Sequence, residues 1–239
     1  MEKREFLLNE VKKIGIELSD VQVEQFIKYY ELLVERNSFM NLTGITEYEE
    51  VVIKHFVDSL SLVKAIDLTK EMSLIDIGTG AGFPGLPLKI AFPNLKITLL
   101  DSLNKRIKFL DEVINQLGLK NIDTIHGRAE DFAKPDKLRE KYDLCVSRAV
   151  ANLSTLSEYC LPFVKLNGCF ISYKSEKLSE ELDIAKKAIF LLGGKFENQI
   201  DFTLNEGDMY RNLVVIKKSQ KTPKQYPRKA GTASKNPIN

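Results

Sequence analysis

The segment Asp76-Ile-Gly-Thr-Gly-Ala-Gly-Phe-Pro-Gly85 packs four glycines into ten residues behind a leading carboxylate. An apolar run precedes it and a helical pattern follows it. A strand that ends in glycine lets its backbone approach a ligand closely, and the helix opening beyond it presents unpaired N–H groups. In an α/β protein this is the place for an adenosine-containing cofactor. Within it, Gly80-Ala-Gly82-Phe-Pro-Gly85 satisfies G-x-G-x-x-G, alone a weak nucleotide signature.

Downstream of Ser73, strand and helix patterns alternate. Strands are predicted at 73–78, 96–101, 122–126, 143–147 and 168–174, with helices at about 84–91, 103–117, 152–164 and 177–192. Two more strands, 195–203 and 211–218, follow with no helix between them and predict an antiparallel hairpin. Alternation of this kind implies a parallel sheet covered on both faces. Five strand–helix steps closed by a hairpin predict an α/β fold of the class I S-adenosylmethionine-dependent methyltransferase type. That is a Rossmann-like, mostly parallel seven-stranded sheet, and it fits less well with a dinucleotide dehydrogenase.

Upstream, residues 5–18 place Phe6, Leu7, Val11, Ile14 and Leu18 at helical spacing. Ser19 and Gln22 read as a capping box for a second helix to about Arg36, with Val23, Phe26, Ile27, Tyr30 and Leu33 or Val34 as its apolar stripe. Thr46 and Glu49 read as another capping box, for a helix to about Ile66. The expected organisation is a helical extension over 1–70, a methyltransferase domain over 71–218, and a basic, extended or mobile tail over 219–239.

Composition fits an ordinary globule, 44% hydrophobic and 28% charged. No apolar run reaches the roughly 18 residues a membrane span needs. The N-terminal residues have no secretory apolar core, so the expected location is cytoplasmic, with no membrane partner. Cys145, Cys160 and Cys169 lack Cys-x-x-Cys spacing and read as buried thiols. His55 and His126 are too few and too scattered for a metal site, so no metal is expected. The net charge of +2 hides an asymmetry. From Lys217 onward six lysines and one arginine meet no acid, giving +7, which leaves 28 basic against 33 acidic residues elsewhere, or −5. A basic tail on an acidic body suggests a polyanionic partner, the plainer alternative being a solubilising tail.

Which cofactor the glycine segment holds depends on its acidic neighbours. Asp76, at the strand end, would repel a pyrophosphate but would suit S-adenosylmethionine, which has no phosphate and carries a sulfonium and an amino cation. Asp101 ends the second strand, where a carboxylate hydrogen-bonds ribose hydroxyls in either cofactor class. After the third strand come Ala129 and Glu130. There a backbone N–H can donate to an adenine ring nitrogen, and the carboxylate can accept from the exocyclic amine.

The fourth strand ends Ser147-Arg148-Ala149, and its carboxyl end faces the transferred group. The chain has neither an Asn/Asp-Pro-Pro-aromatic sequence for an exocyclic amine nor a Pro-Cys pair for a pyrimidine ring. Guanine N7 suits such a site. It has a lone pair and no proton to lose, so transfer needs alignment and a dry pocket rather than a general base. Arg148 is placed to hold a methionyl carboxylate, a guanine edge or a phosphate.

These residues together resemble the small-subunit ribosomal RNA guanine-N7 methyltransferase family, also called the glucose-inhibited division protein B family. The resemblance runs through Asn41-Leu-Thr43, His55-x-x-Asp58-Ser59, Asp76 to Gly85, Asp101-Ser102 with Lys105-Arg106, and Arg128-Ala-Glu130. It continues through Ser147-Arg-Ala149, Tyr173-Lys174 and Tyr226-Pro-Arg-Lys-Ala-Gly231. It implies methyl transfer from S-adenosylmethionine to N7 of one guanine in 16S ribosomal RNA, as RNA or as the small subunit, with no DNA partner. It implies cofactor contacts from Gly78, Phe83, Ala129, Glu130 and Arg148, to which the residue reading adds Gly80 and Asp101. Lys174, Arg211, Arg228 and Lys229 are candidate RNA contacts. His55 and Asp58, neighbours on the third helix, read as an inter-element hydrogen-bond cluster rather than an acid–base pair. Asn41 to Thr43 either lines the cofactor mouth or makes an Asx-type turn. A nicotinamide-dependent oxidoreductase and a non-catalytic RNA-binding module are the alternatives.

Overall fold

The computed structural model of the chain describes residues 2–175 and 179–239. Seven strands form one sheet: β1 (Ser73–Ile77), β2 (Lys96–Asp101), β3 (Ile122–His126), β4 (Tyr142–Arg148), β5 (Val164–Lys174), β6 (Gly194–Leu204) and β7 (Met209–Lys218). Their order is β3-β2-β1-β4-β5-β7-β6. The first five pair in parallel, and β7 runs antiparallel to both β5 and β6. This is the methyltransferase-type sheet expected from the strand pattern. Its central strands read as apolar runs because both faces are buried: Leu74 and Leu144 enter one core, Ile75 and Cys145 the other.

Before the sheet come α1 (Lys3–Lys12), α2 (Asp20–Met40) and α3 (Tyr48–Val51). The Ser19–Gln22 capping box is present as expected. The buried stripe of α2 is Val23, Phe26, Tyr29, Leu32 and Leu33. Tyr29 and Leu32 therefore replace the expected Ile27 and Tyr30, which lie at its edge. The helix also runs past Arg36 to Met40. It closes there because Asn41 adopts a left-handed conformation and Asn37 Oδ1 accepts the N–H groups of Leu42 and Thr43.

The third helix departs most from expectation. Its N-cap is Glu47, with no side-chain hydrogen bond, so the Thr46–Glu49 capping box does not form. After α3 the chain widens into a π-helical segment, Val52–Val57, returns to α-helix in α4 (Asp58–Leu60) and tightens into a 3₁₀ turn, Ser61–Lys64. A π segment inserts an extra residue per turn and re-aims the side chains around it. His55 lies inside it and Asp58 directly after it.

The remaining helices are α5 (Gly85–Ala91), α6 (Asn104–Gln116), α7 (Ala129–Phe132), α8 (Leu153–Cys160), α9 (Ser179–Leu191) and α10 (Thr232–Lys235). The first two residues of the helix predicted at 177–192 lie outside the described residues. The helix predicted at 152–164 gives way at Leu161 to a 3₁₀ turn carrying Pro162, which cannot continue an α-helix. Leu7, Phe26 and Phe56 share one core with Leu88 and Leu99, so the N-terminal helices are packed onto the sheet domain. Among the described residues no helix is long and apolar enough to cross a membrane.

The end of the chain is not extended away from the body. Arg139 donates to the carbonyls of Thr222, Pro223 and Tyr226. Ser154 and Thr155 donate to those of Ile238 and Ala233, and Ala233 is buried. The physical reason lies in α8. Glu158 is a carboxylate only 1% exposed, and such a group requires a cation. Arg228 is that cation: its Nη2 and Nε reach Glu158 at 2.6 and 3.0 Å.

Candidate active site

The strand order reverses between β1 and β4, and two cavities open there at the carboxyl ends of the strands. Ligands of open α/β sheets bind at such a switch point. Ser147 Oγ donates to the Ile77 carbonyl at 2.8 Å and holds the two central strand ends together. Ala149, next in line and at φ 56°, borders both cavities.

The first cavity, about 370 Å³, lies over β1, β2 and the start of α7. Four of the candidate cofactor residues, Gly78, Asp101, Ala129 and Glu130, line it together, beside Tyr159, Gly231 and Ser234. Gly78 has φ +72°, and a Cβ there would stand 2.7 Å from a Val150 methyl. The bare backbone is therefore what keeps this wall open. Asp101 does more than face the cavity. Its Oδ2 accepts the Gly80 N–H at 2.9 Å, and its Oδ1 accepts the Leu103 N–H at 2.9 Å. Gly80 thus fixes the loop to Asp101 and is not itself part of the cavity wall.

Asp76 lies beneath the glycine loop rather than on an acidic rim. It is fully buried, and its Oδ2 accepts from Thr79 Oγ1 at 2.7 Å and from the Gly85 N–H at 2.9 Å. Gly85 admits no side chain, because a Cβ would meet Leu99 Cδ2 at 2.3 Å. Burial pushes the Asp76 carboxyl up from 3.8 to about 6, against the pull of the Thr79 and Gly85 hydrogen bonds. The folded protein therefore holds a proton here that the unfolded chain releases at lower pH. The stabilisation is present below the unfolded value of 3.8 and is lost as pH rises through about 6. Asp76→Asn keeps both acceptor contacts without the charge. Urea titrations at pH 4 and pH 8 are expected to show the variant gaining on the wild type by about 2 kcal/mol between them.

The second cavity, about 460 Å³, lies at the ends of β4 and β5 against the π segment. Arg148 lines this cavity and not the first. Its Nη1 pairs with Asp58 Oδ2 at 2.6 Å and reaches the Lys54 carbonyl at 3.2 Å. Its Nη2 aims at His55 Nδ1 at 3.4 Å. Its guanidinium lies 5.1 Å from the Phe83 ring, which stacks on His55 with centroids 4.5 Å apart. Phe83 is thus buried behind this cluster. Arg211 Nε takes the other oxygen of Asp58 at 2.8 Å. Lys174 also lines the cavity, paired with Glu181 at 2.6 Å. Arg211 and Lys174, expected as RNA contacts, are walls of a pocket.

His55 Nε2 lies 2.8 Å from Thr43 Oγ1, which gives the Asn41–Thr43 turn a role in holding the imidazole. Burial, and then the charge of Arg148, push His55 down to about 4. It is neutral at physiological pH. The expected hydrogen-bond cluster between elements is present, and it forms part of a cavity wall. Four basic side chains, Lys54, Arg148, Lys174 and Arg211, stand here against two acids, Asp58 and Glu181. Both Asp58 oxygens are held by arginines, and Glu181 Oε1 accepts from Lys174 and from the Leu153 N–H. These carboxylates are occupied as ion-pair partners rather than poised as bases.

The comparisons agree with this geometry. The family model described as GidB, rRNA small subunit methyltransferase G, matches residues 22–213. The chain belongs to the rRNA small subunit methyltransferase G family. A relative of that name from Lachnoclostridium phytofermentans is 56% identical over 228 residues, covering 95% of this chain and 94% of its own. Another, from Alkaliphilus metalliredigens, is 51% identical over 238 residues and covers both chains fully. Distant solved structures share the fold. An M. jannaschii TYW2 crystallised with AdoMet superimposes with a TM-score of 0.52 at 16% identity, over 63% of this chain and 70% of its own. A putative sarcosine dimethylglycine methyltransferase from Galdieria sulphuraria gives 0.52 at 16% identity, over 73% and 89%. Neither alternative activity finds support in the family or the fold.

Of the two tail residues, Arg228 is committed to Glu158, whereas Lys229 is exposed. Sequence reasoning missed Lys54, Tyr173 and Glu181 in the second cavity and Tyr159, Gly231 and Ser234 in the first. Tyr173 and Gly231 stood within quoted motifs, but nothing local to them says which cavity they meet.

Proposed function

We propose that this member of the rRNA small subunit methyltransferase G family transfers the methyl group of S-adenosylmethionine to N7 of one guanine in 16S rRNA. The observation that carries the reading is the meeting of two cavities at Ala149. One offers acceptors for an adenosine and the other is cationic and of a size for a base. The first cavity fits the cofactor: Asp101 and Glu130 suit ribose hydroxyls and an exocyclic amine, and Gly78 keeps the wall free of a side chain. Bound there, the cofactor supplies an electrophilic methyl on a sulfonium that leaves as a neutral thioether.

The chain's own residues supply placement. Arg148 is fixed on four sides by Asp58, His55, the Lys54 carbonyl and Phe83. Its remaining donor capacity suits the O6 edge of guanine or a phosphate. Lys54, Lys174 and Arg211 attract the RNA backbone without reading sequence. Neutral His55 adds no charge beside a cationic methyl donor. N7 attacks with its lone pair and no proton leaves, so the paired carboxylates need do no base chemistry. Single-turnover transfer to unmodified 16S rRNA is therefore expected to be flat from about pH 6.5 to 8.5. A rise of tenfold per pH unit across that window would show a deprotonation and remove N7 as the acceptor.

A further inference from the structure

The C-terminal segment, read in the sequence as a basic arm for a polyanion, also walls the first cavity. Gly231 and Ser234 stand in its wall. The Gly231 N–H donates to Glu130 Oε1 at 2.8 Å, spanning 101 residues of sequence. Gly231 has φ +82°, a conformation that favours glycine, and it caps the short helix α10. Tyr159, on α8, completes that side. Two pins hold the segment in place. Arg228 closes on Glu158 through its backbone N–H at 2.7 Å and through both Nε and Nη2, and Arg139 gathers three carbonyls of residues 222–226.

We propose that residues 226–235 form a strap that completes the cofactor site, with Gly231 as the positioning residue that aims the Glu130 carboxylate. The inference rests on the methyltransferase reading of that cavity and assigns a new part of it. One Glu130 oxygen is held by the strap, which orients the other toward the cavity. The Arg228–Glu158 pair sets how firmly the strap is seated, since removing one partner leaves a buried charge unpaired. The strap lies across the cavity wall, so its opening sets the rate at which bound nucleoside leaves. Lys229 and Lys235 on the strap, and Lys224 just before it, are exposed, so RNA has access to the strap while it is closed.

Calorimetry with S-adenosylhomocysteine tests this on the full chain, on Arg228→Gln, on a chain ending at Ser219, and on Lys186→Gln, exposed on α9, as a surface control. Arg228→Gln is expected to weaken binding by about tenfold, the loss typical of one charge-assisted hydrogen bond, and truncation by more. Lys186→Gln is expected to bind as the wild type does. Hydrogen exchange on the wild type is expected to slow at residues 226–235 when S-adenosylhomocysteine is added. Because truncation exposes Glu158, Arg228→Gln with Glu158→Gln serves as a second variant that unpins the strap without a buried charge. It is expected to show the same weakened binding with an unchanged thermal midpoint in the absence of ligand. Wild-type affinity in that double variant, or RNA affinity changing while cofactor affinity does not, overturns the strap. A wild-type chain that binds no S-adenosylhomocysteine at all overturns the methyltransferase reading itself.

Discussion

Asp58→Ala is expected to destabilise the protein by about 3 kcal/mol or more and to abolish methyl transfer. Asp58 is 4% exposed, and each of its oxygens is held by a different arginine, Arg148 and Arg211. The three side chains come from the start of α4, directly after the π segment, from β4 and from β7. Removing the carboxylate leaves two guanidinium groups facing each other in a half-enclosed pocket with no counter-charge. Their repulsion and lost hydrogen bonds both act, and the helix after the π segment loses its ion-pair tie to β4 and β7. Asp58→Asn keeps the shape and one acceptor, so it is expected to lie between alanine and wild type. Urea unfolding followed by circular dichroism gives the ranking from midpoints at unchanged slope. A loss below about 0.5 kcal/mol in the alanine variant would show the triad to be solvated in solution, as surface pairs are.

Arg148→Ala is expected to slow single-turnover transfer by on the order of a hundredfold or more, the cost of removing one preorganised donor from a reacting site. Its effect on folding is expected to be smaller than that of Asp58→Ala, because Arg211 still neutralises the remaining carboxylate. Arg148→Lys is not expected to restore the rate. An ammonium cannot reach Asp58, the Lys54 carbonyl and His55 as a planar fork does. The variant also carries a second readout. The Arg148 charge is one of the forces holding His55 down at about 4, so its removal is expected to raise the His55 midpoint toward the ordinary value. An imidazole titration by NMR shows this directly. A midpoint that stays near 4 would make burial the sole cause and loosen the link between the two residues.

Much of this fold was legible because strand and helix periods alternate cleanly after Ser73. Each predicted strand overlaps one of β1 to β7, and Asp101, Ala129 and Glu130 fall where the strand ends put them. Three features were not legible, each for a physical reason. Asp76 looks like an acid at a ligand's mouth, yet it is turned under the loop to hold the Gly85 N–H. Sequence shows that a carboxylate ends a strand but not which side of the loop it serves. The buried positions of the π segment and its flank, Val52, Phe56, Val57 and Leu60, also fit an α-helical period, so apolar spacing does not show the wider turns. Those turns nevertheless set how His55 and Asp58 meet Arg148. The basic tail is the third. Charge density predicted a polyanion, but the partner of Arg228 is a single buried glutamate 70 residues earlier. Only tertiary structure brings such a pair together. Cationic side chains gather in the second cavity as well, where Lys54, Lys174 and Arg211 converge from three different elements.

Methyl transfer to N7 of a guanine weakens its glycosidic bond, which makes the proposed reaction directly visible. Small subunits or 16S rRNA lacking the modification are incubated with the protein and S-adenosylmethionine, then reduced and treated with aniline. Strand scission is expected at one guanine, dependent on cofactor and absent with Arg148→Ala. Full incorporation of labelled methyl with no aniline-sensitive site would contradict transfer to N7, placing the methyl group on another atom.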